Sequence, residues 1–113
     1  MTDANLMAAI LDSLKNPVLF ADTTHVARYM NKAAIPHYEE GTSLIGCSLL
    51  DCHNERSQQM MIEILAEMHE GLEERLITDD EEWRIYMRSV RDSDGKLLGY
   101  YERYEPPRAN AKT

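Results

Sequence analysis

The chain has 113 residues, of which 43% are hydrophobic and 28% are charged, and these proportions suit one globular domain. A formal charge of −8 disfavours binding to nucleic acid or to an anionic membrane, since both repel an acidic surface. The N-terminus does not resemble a signal peptide, and no apolar run approaches the roughly 20 residues that span a bilayer. We therefore expect a cytoplasmic protein whose two cysteines stay reduced.

The chain begins with a predicted amphipathic helix. Its apolar residues recur at helical spacing up to Asn16, where the pattern stops because a residue before proline avoids the helical region. Thr2 or Asp3 can cap the first turn. The apolar stripe of this helix consists of Leu6, Met7, Ile10, Leu11 and Leu14.

Two short strands are predicted next, over residues 17–21 and 25–30, separated by the turn sequence Asp22-Thr23-Thr24. Asn31 can cap a short helix over residues 31–35, which Pro36 would end. The longest helix is predicted over residues 56–69, before Gly71. Its buried face should carry Met61, Ile64, Leu65 and Met68, which are spaced i, i+3, i+4 and i+7.

Three strands should follow, over residues 73–78, around the alternating segment 83–88, and over residues 96–105, with Asp94-Gly95 as a hairpin turn. Ile85 and Met87 should face the helices together with Trp83. We expect Arg84, Tyr86 and Arg88 on the opposite face, paired there with Glu102 and Tyr104. This order of elements predicts an α+β domain with an antiparallel sheet covered on one face by helices.

In this order and spacing, the sequence resembles a PAS sensory domain from Leu6 to Glu105. The likeness rests on residues 10–14, on Pro17-Val18 leading to Asp22, on residues 29–34, on Leu44-Ile45-Gly46 and on residues 91–99. A narrower resemblance joins residues 52–57, Cys-His-Asn-Glu-Arg-Ser, to PAS domains with a Cys-His-Pro-x-x-Ser segment, although the proline is missing here.

The PAS resemblance implies a five-stranded antiparallel sheet, a flanking helix over residues 1–15, a core over residues 16–105 and a disordered tail or linker over residues 106–113. It also implies a sensory or signalling module without catalysis, which binds a small ligand or partner between the sheet and the long helix. Candidate ligand-binding residues are Tyr38, Leu49, His53, Met61, Ile64, Leu65, Met68, Ile85, Met87 and Tyr100.

The segment around Cys47 and Cys52 leaves a cofactor question open. The spacing Cys-x4-Cys-His does not match the usual covalent haem motif, and zinc would need His37 as a fourth ligand beside His53. We expect no cofactor and two buried cysteines, with His53 hydrogen-bonded or capping at the start of the long helix. The alternative is a non-covalent haem sensor with His53 as proximal ligand and Met61 opposite. Flavin photochemistry is disfavoured because Leu49 stands where light-sensing relatives of the family have a cysteine.

Two expectations concern partners. The N-terminal helix carries more apolar surface than its own sheet can cover, which predicts a homodimer through that helix. A second alternative is therefore a ligand-free protein–protein interaction module. The resemblance also implies an output domain or partner protein that receives the signal.

Overall fold

The computed structural model describes residues 2–108 and contains a five-stranded antiparallel sheet in the order β2-β1-β5-β4-β3. This arrangement confirms the predicted α+β fold class. The helices are α1 (Asp3–Asp12) and α2 (Glu55–His69), and the strands are β1 (Val18–Asp22), β2 (Ala27–Met30), β3 (Glu74–Asp79), β4 (Arg84–Arg91) and β5 (Leu97–Glu105). Three 3₁₀ helices connect β2 to α2, at Ile35–His37, Gly41–Leu44 and Leu49–Cys52. The predicted tail falls mostly outside the described residues.

Helix α2 packs its predicted face onto the sheet. Met61, Ile64, Leu65 and Met68 are all buried, in one cluster with Met87 of β4, so the predicted helical phase is confirmed. The helix begins at Glu55 because the Asn54 side chain accepts a hydrogen bond from the Ser57 amide at 2.9 Å. It ends before Gly71, whose φ of 115° is the left-handed conformation that glycine adopts after a helix.

The central strand β5 corrects one sequence-based prediction. Glu102 and Tyr104 were expected on the outer face of the sheet, but they lie opposite Met87 and Ile85 in the β4–β5 register. Directly paired residues project to the same side of a sheet, so Glu102 and Tyr104 point inward, toward the helices. Both are buried.

The outer face carries the arginines instead. Arg103 of β5 lies 3.0 Å from Glu74 and 2.7 Å from Glu105, and its guanidinium stacks over the Tyr86 ring at 4.3 Å. Arg84 also pairs with Glu105, at 3.2 Å. Arg88 pairs with Glu74 at 3.5 Å and with Glu73 at 3.8 Å, so the acids that pair with the outer arginines are Glu73, Glu74 and Glu105.

Helix α1 is held to the rest of the chain by polar contacts. Asp12 accepts hydrogen bonds from the Tyr29 hydroxyl at 2.9 Å and from the Lys32 amide at 3.0 Å, and Asn31 Nδ2 donates to the Leu11 carbonyl at 3.0 Å. Thr2 is its N-cap, as predicted. No residue of α1 is buried within one chain.

Three local predictions were wrong. Cys47 and Cys52 are exposed rather than buried, and both are free thiols. Residues 31–34 form a turn, and Pro36 lies inside the 3₁₀ helix Ile35–His37 rather than ending a helix before it. Strand β2 begins at Ala27 because His25 has a φ of 65° in the turn that follows β1.

Among residues 2–108, neither α-helix combines the length and the apolar character needed to cross a bilayer.

The packing of α2 is tested by the same substitution at two sites. Ile64→Ala should lower the free energy of unfolding by about 2–5 kcal/mol, since Ile64 is only 2% exposed and the truncation leaves a cavity. Ile62→Ala is the control on the same helix, because Ile62 is 43% exposed and its loss should cost less than about 0.5 kcal/mol. Urea denaturation measures both, and equal effects would contradict the observed orientation of α2.

Candidate functional site

A cavity of about 240 Å³ lies between the inner face of the sheet and the 3₁₀ helices. Leu19 of β1 and the pair Glu102 and Tyr104 of β5 form its floor. The remaining walls come from the connection between β2 and α2, so the cavity is enclosed by the irregular part of the chain. The lining residues are Leu19, Tyr38, Glu40, Leu44, Leu49, Cys52, His53, Glu102 and Tyr104.

Glu102 is the most unusual of these residues, because it is a carboxyl group only 6% exposed in the middle of the central strand. Its strand neighbours are Leu19 and Met87, which offer no polar partner. The Tyr38 hydroxyl lies 3.2 Å from Glu102 Oε1 and 3.0 Å from the Tyr104 hydroxyl. Since the Tyr38 hydroxyl carries one proton, it donates to only one of these oxygens at a time.

Burial raises the pKa of Glu102, because a charge in this site loses its hydration. The hydrogen bond from Tyr38 and the attraction of His53 act in the opposite direction and offset only part of this effect. Burial also raises the pKa of Tyr38, and it raises the pKa of Tyr104 to about 12. Both phenols therefore keep their protons at neutral pH and serve as hydrogen-bonding groups.

His53 stands at the mouth of the cavity, between the last 3₁₀ helix and α2. Its Nδ1 lies 2.7 Å from the Leu49 carbonyl oxygen, which can only accept, so Nδ1 carries a hydrogen. This contact agrees with the expected hydrogen-bonded histidine at the start of the long helix. The next residue, Asn54, provides the cap itself.

Glu40 and Cys52 complete the mouth. The Cys52 Sγ lies 3.7 Å from Glu40 Oε2. Partial burial and the nearby carboxylate of Glu40 raise the pKa of the Cys52 thiol, so the thiol stays protonated at neutral pH. The thiol is therefore a weak nucleophile, and its role at the mouth is steric and polar.

The structure brings only part of the predicted ligand-binding set to this cavity. Tyr38, Leu49 and His53 line it. Tyr100 points to the same side of β5, but its hydroxyl bonds to His25 Nδ1 at 2.9 Å in the closed core. Ile85 is half-buried opposite Tyr104. The other predicted residues, Met61, Ile64, Leu65, Met68 and Met87, are packed in the core cluster and do not line the cavity.

Sequence reasoning missed Glu102 and Tyr104 as site residues. The signal was present in the period of β5, where Tyr100, Glu102 and Tyr104 alternate with Tyr101 and Arg103. Because Glu102 alternates in step with Tyr100 and Tyr104, it lies on the same face of β5 as these two buried tyrosines.

The cavity does not fit a haem as it stands. The predicted axial pair is not brought together, since His53 lines the cavity whereas Met61 is buried in the core. The haem macrocycle also needs far more room than about 240 Å³. Within residues 2–108, no three side chains of the metal-binding types come together in a possible metal site.

The sequence matches the family described as the PAS fold over residues 11–109, which is most of the chain. The chain therefore belongs to the PAS fold family, whose members are generally sensory rather than catalytic. None of the curated proteins matches the sequence significantly.

Solved structures share the fold at low sequence identity. A C-terminal domain from Streptococcus mutans superposes with a TM-score of 0.77 at 16% identity, covering 93% of this chain and 85% of that one. The PAS domain of BvgS from Bordetella pertussis gives 0.61 at 18% identity, with 98% and 90% covered. The Aer2 receptor from Vibrio cholerae, described as a dual PAS-haem oxygen sensor, gives 0.59 at 15% identity, with 79% and 91% covered.

The raised pKa of Glu102 predicts a pH-dependent stability. A carboxyl whose pKa is higher in the folded state binds its proton more tightly there, so its contribution is fully present below the ordinary value of 4.5. It is lost as the pH rises through the folded-state value. The free energy of unfolding of the wild type should therefore fall with rising pH relative to that of Glu102→Gln.

Urea denaturation at a series of pH values between about 4 and 8 measures the difference in the free energy of unfolding between the two proteins. Glu70→Gln is the matched control, because Glu70 is an exposed acid at the far end of α2. Parallel curves for the wild type and Glu102→Gln would show that Glu102 titrates normally in the folded protein.

Proposed function

We propose that this PAS domain is a sensory module that binds a small ligand in the cavity between β5 and the 3₁₀ helices. The observation that carries the proposal is the cavity of about 240 Å³, which combines an apolar wall with the buried carboxyl of Glu102. A few convergent polar groups in an otherwise apolar pocket are typical of a ligand site. The proposed contacts are Tyr38, Leu49, His53, Glu102 and Tyr104.

A route from the cavity to a partner is available through β5. Tyr104 borders both the cavity and a groove of about 590 Å³ on the outer side of the sheet. The neighbouring residues Arg103 and Glu105 line that groove, and Arg103 joins β5 to β3 through Glu74. A ligand that changes the position of Tyr104 would change the surface offered to an output domain or partner protein.

The two exposed cysteines provide a sharp test of the ligand site. Cys52→Trp should block the mouth of the cavity, whereas Cys47→Trp places the same side chain on the surface outside it. In a thermal-shift screen of small metabolites, active compounds should raise the melting temperature of the wild type and of Cys47→Trp but not of Cys52→Trp. A ligand at 100 times its dissociation constant adds about 2.7 kcal/mol to stability.

Equal shifts for all three proteins would place binding elsewhere. A screen without any shift, together with native mass spectra that show no bound compound, would remove the support for a ligand sensor.

We also propose that the domain forms a homodimer through α1. Leu6, Met7 and Ile10 of α1, together with Leu14 just after the helix, are between 44% and 55% exposed in one chain. Leu11 and Leu14 continue this surface into the outer groove, beside Phe20 and Tyr101. A contiguous apolar surface of this kind marks an interaction site, and a two-fold contact with a second copy covers it on both chains.

Sedimentation tests the dimer with two equivalent substitutions. Ile10→Glu should weaken association at least tenfold, because it places a charge in the proposed interface. Ile45→Glu should not, since Ile45 is similarly exposed (41%) but lies outside α1. The wild-type dimer should tighten with salt, which screens repulsion between two chains of charge −8. A wild type that stays monomeric at tens of micromolar would contradict the proposal.

A further inference from the structure

We infer that the cavity takes a small organic cation, with a protonated amine or amidinium group paired to the Glu102 carboxyl and a short apolar body against Leu19, Leu44 and Leu49. The inference deepens the proposed ligand-sensing function and rests on it. It concerns the chemical class of the ligand, which the fold family leaves open.

Glu102 has no lysine or arginine partner within residues 2–108, and the attraction of His53 offsets only part of the cost of its burial. The other two acids of this part of the sheet, Glu74 and Glu105, each pair with arginine on the outer face. No ion pair joins Glu102 to a lysine or arginine of the described residues. Its Oε1 lies near one phenol, and no hydrogen bond from the same residues reaches Oε2. A buried carboxylate is costly without a cationic partner, so a cation in the cavity would supply what the protein does not.

The charge of the remaining cavity wall also favours a cation over an anion. Glu40 adds a second carboxyl group at the mouth, and His53 is the one basic residue of the lining. The Nδ1 hydrogen of His53 is used by the Leu49 carbonyl. An anionic ligand would meet two carboxyl groups, whereas an ammonium group would find acceptors in Glu102 and in the phenol oxygens of Tyr38 and Tyr104.

The size and polarity of the cavity suit a small molecule with an apolar body. Leucines form the apolar part of the wall, and a volume of about 240 Å³ limits the ligand to a small molecule. The acidic surface of the chain, with a formal charge of −8, also raises the local concentration of cations. A short amine with an alkyl or aromatic body fits all of these features.

Proton linkage separates a cation from a neutral ligand. Because burial raises the pKa of Glu102, a cation that binds to its carboxylate releases a proton, and its affinity should increase with pH. A neutral ligand that accepts a hydrogen bond from the protonated carboxyl should show the opposite dependence.

The surroundings of Glu102 are apolar on three sides. Strands β1 and β4 place Leu19 and Met87 beside it, and the buried face of α2 is apolar. The titratable groups around the cavity and on the inner side of β5 are Tyr38, Glu40, Cys52, His53, Tyr104 and Tyr100, whose hydroxyl bonds to His25.

The experiment uses ligands of equal shape and different charge: benzylamine, benzyl alcohol and benzoate, with hexylamine, 1-hexanol and hexanoate as a flexible set. Isothermal titration of the full chain should show that an amine binds at least tenfold more tightly than its alcohol, and that the carboxylate does not bind. Glu102→Gln should lower the affinity for the amine to that for the alcohol, whereas Glu70→Gln should leave the preference for the amine unchanged. In two buffers of different ionisation enthalpy, amine binding to the wild type should release protons, a measurement that needs no variant.

The outcomes separate the two proposals. If an alcohol or a carboxylate binds as tightly as its amine, the cation inference is wrong while the cavity remains a ligand site. If none of the six compounds binds but an uncharged or anionic compound stabilises the wild type and not Cys52→Trp, the inference is again wrong and the sensory proposal stands. If nothing binds to the cavity, both are wrong.

Discussion

The register of β5 between β1 and β4 places the Glu102 carboxyl inside the domain, and the character of the cavity follows from this one burial. Residues of β5 alternate between the two faces, so the same register turns Arg103 and Glu105 outward. A shift of one residue would exchange these sets and bury two charged residues in place of one. Leu19 of β1 and Met87 of β4 pair with Glu102 and favour this register from both sides, because their apolar side chains pack the buried face around the carboxyl.

Burial of Glu102 stabilises the fold less than an apolar residue would, since a carboxyl group loses its hydration there. The Tyr38 hydroxyl compensates for part of this cost, and it also ties the 3₁₀ connection to the sheet. The 3₁₀ helices themselves contribute few buried residues, with Leu44 and Leu49 as the main anchors. Backbone hydrogen bonds from Gly46 and to Cys47 also join this connection to Ala27 of β2, at 2.8 and 3.0 Å. The part of the connection around Tyr38 reaches the sheet through its side chain, so its position is coupled directly to the polar floor of the cavity.

Helical periodicity was the strongest part of the sequence information. It gave the buried face of α2 residue by residue, because four apolar residues at i, i+3, i+4 and i+7 have one interpretation. The strand pattern of β4 was also predicted, with Met87 inward. The face of Glu102 was predicted wrongly because its charge suggested a pairing with the outer arginines. Its alternation in step with Tyr100 along β5 determines that it faces inward. The exposure of Cys47 and Cys52 was not predictable, since it depends on how the 3₁₀ turns pack, and these turns have no periodicity to reveal their orientation.

Three residues of the proposed site, Tyr38, Leu49 and His53, were predicted from the resemblance to the PAS family. The polar residues of its floor, Glu102 and Tyr104, could be placed only from the strand register. That floor also suggests how ligand and signal would be connected. A ligand shifts a conformational equilibrium only by the difference of its affinities for the two states. In the proposed function, ionisation of Glu102 would supply such a difference, because a protonated carboxyl can donate to the Tyr38 hydroxyl whereas a carboxylate can only accept from it. Tyr104 lines both the cavity and the outer groove, so the signal of the proposed sensor would pass along β5 to the surface beside α1.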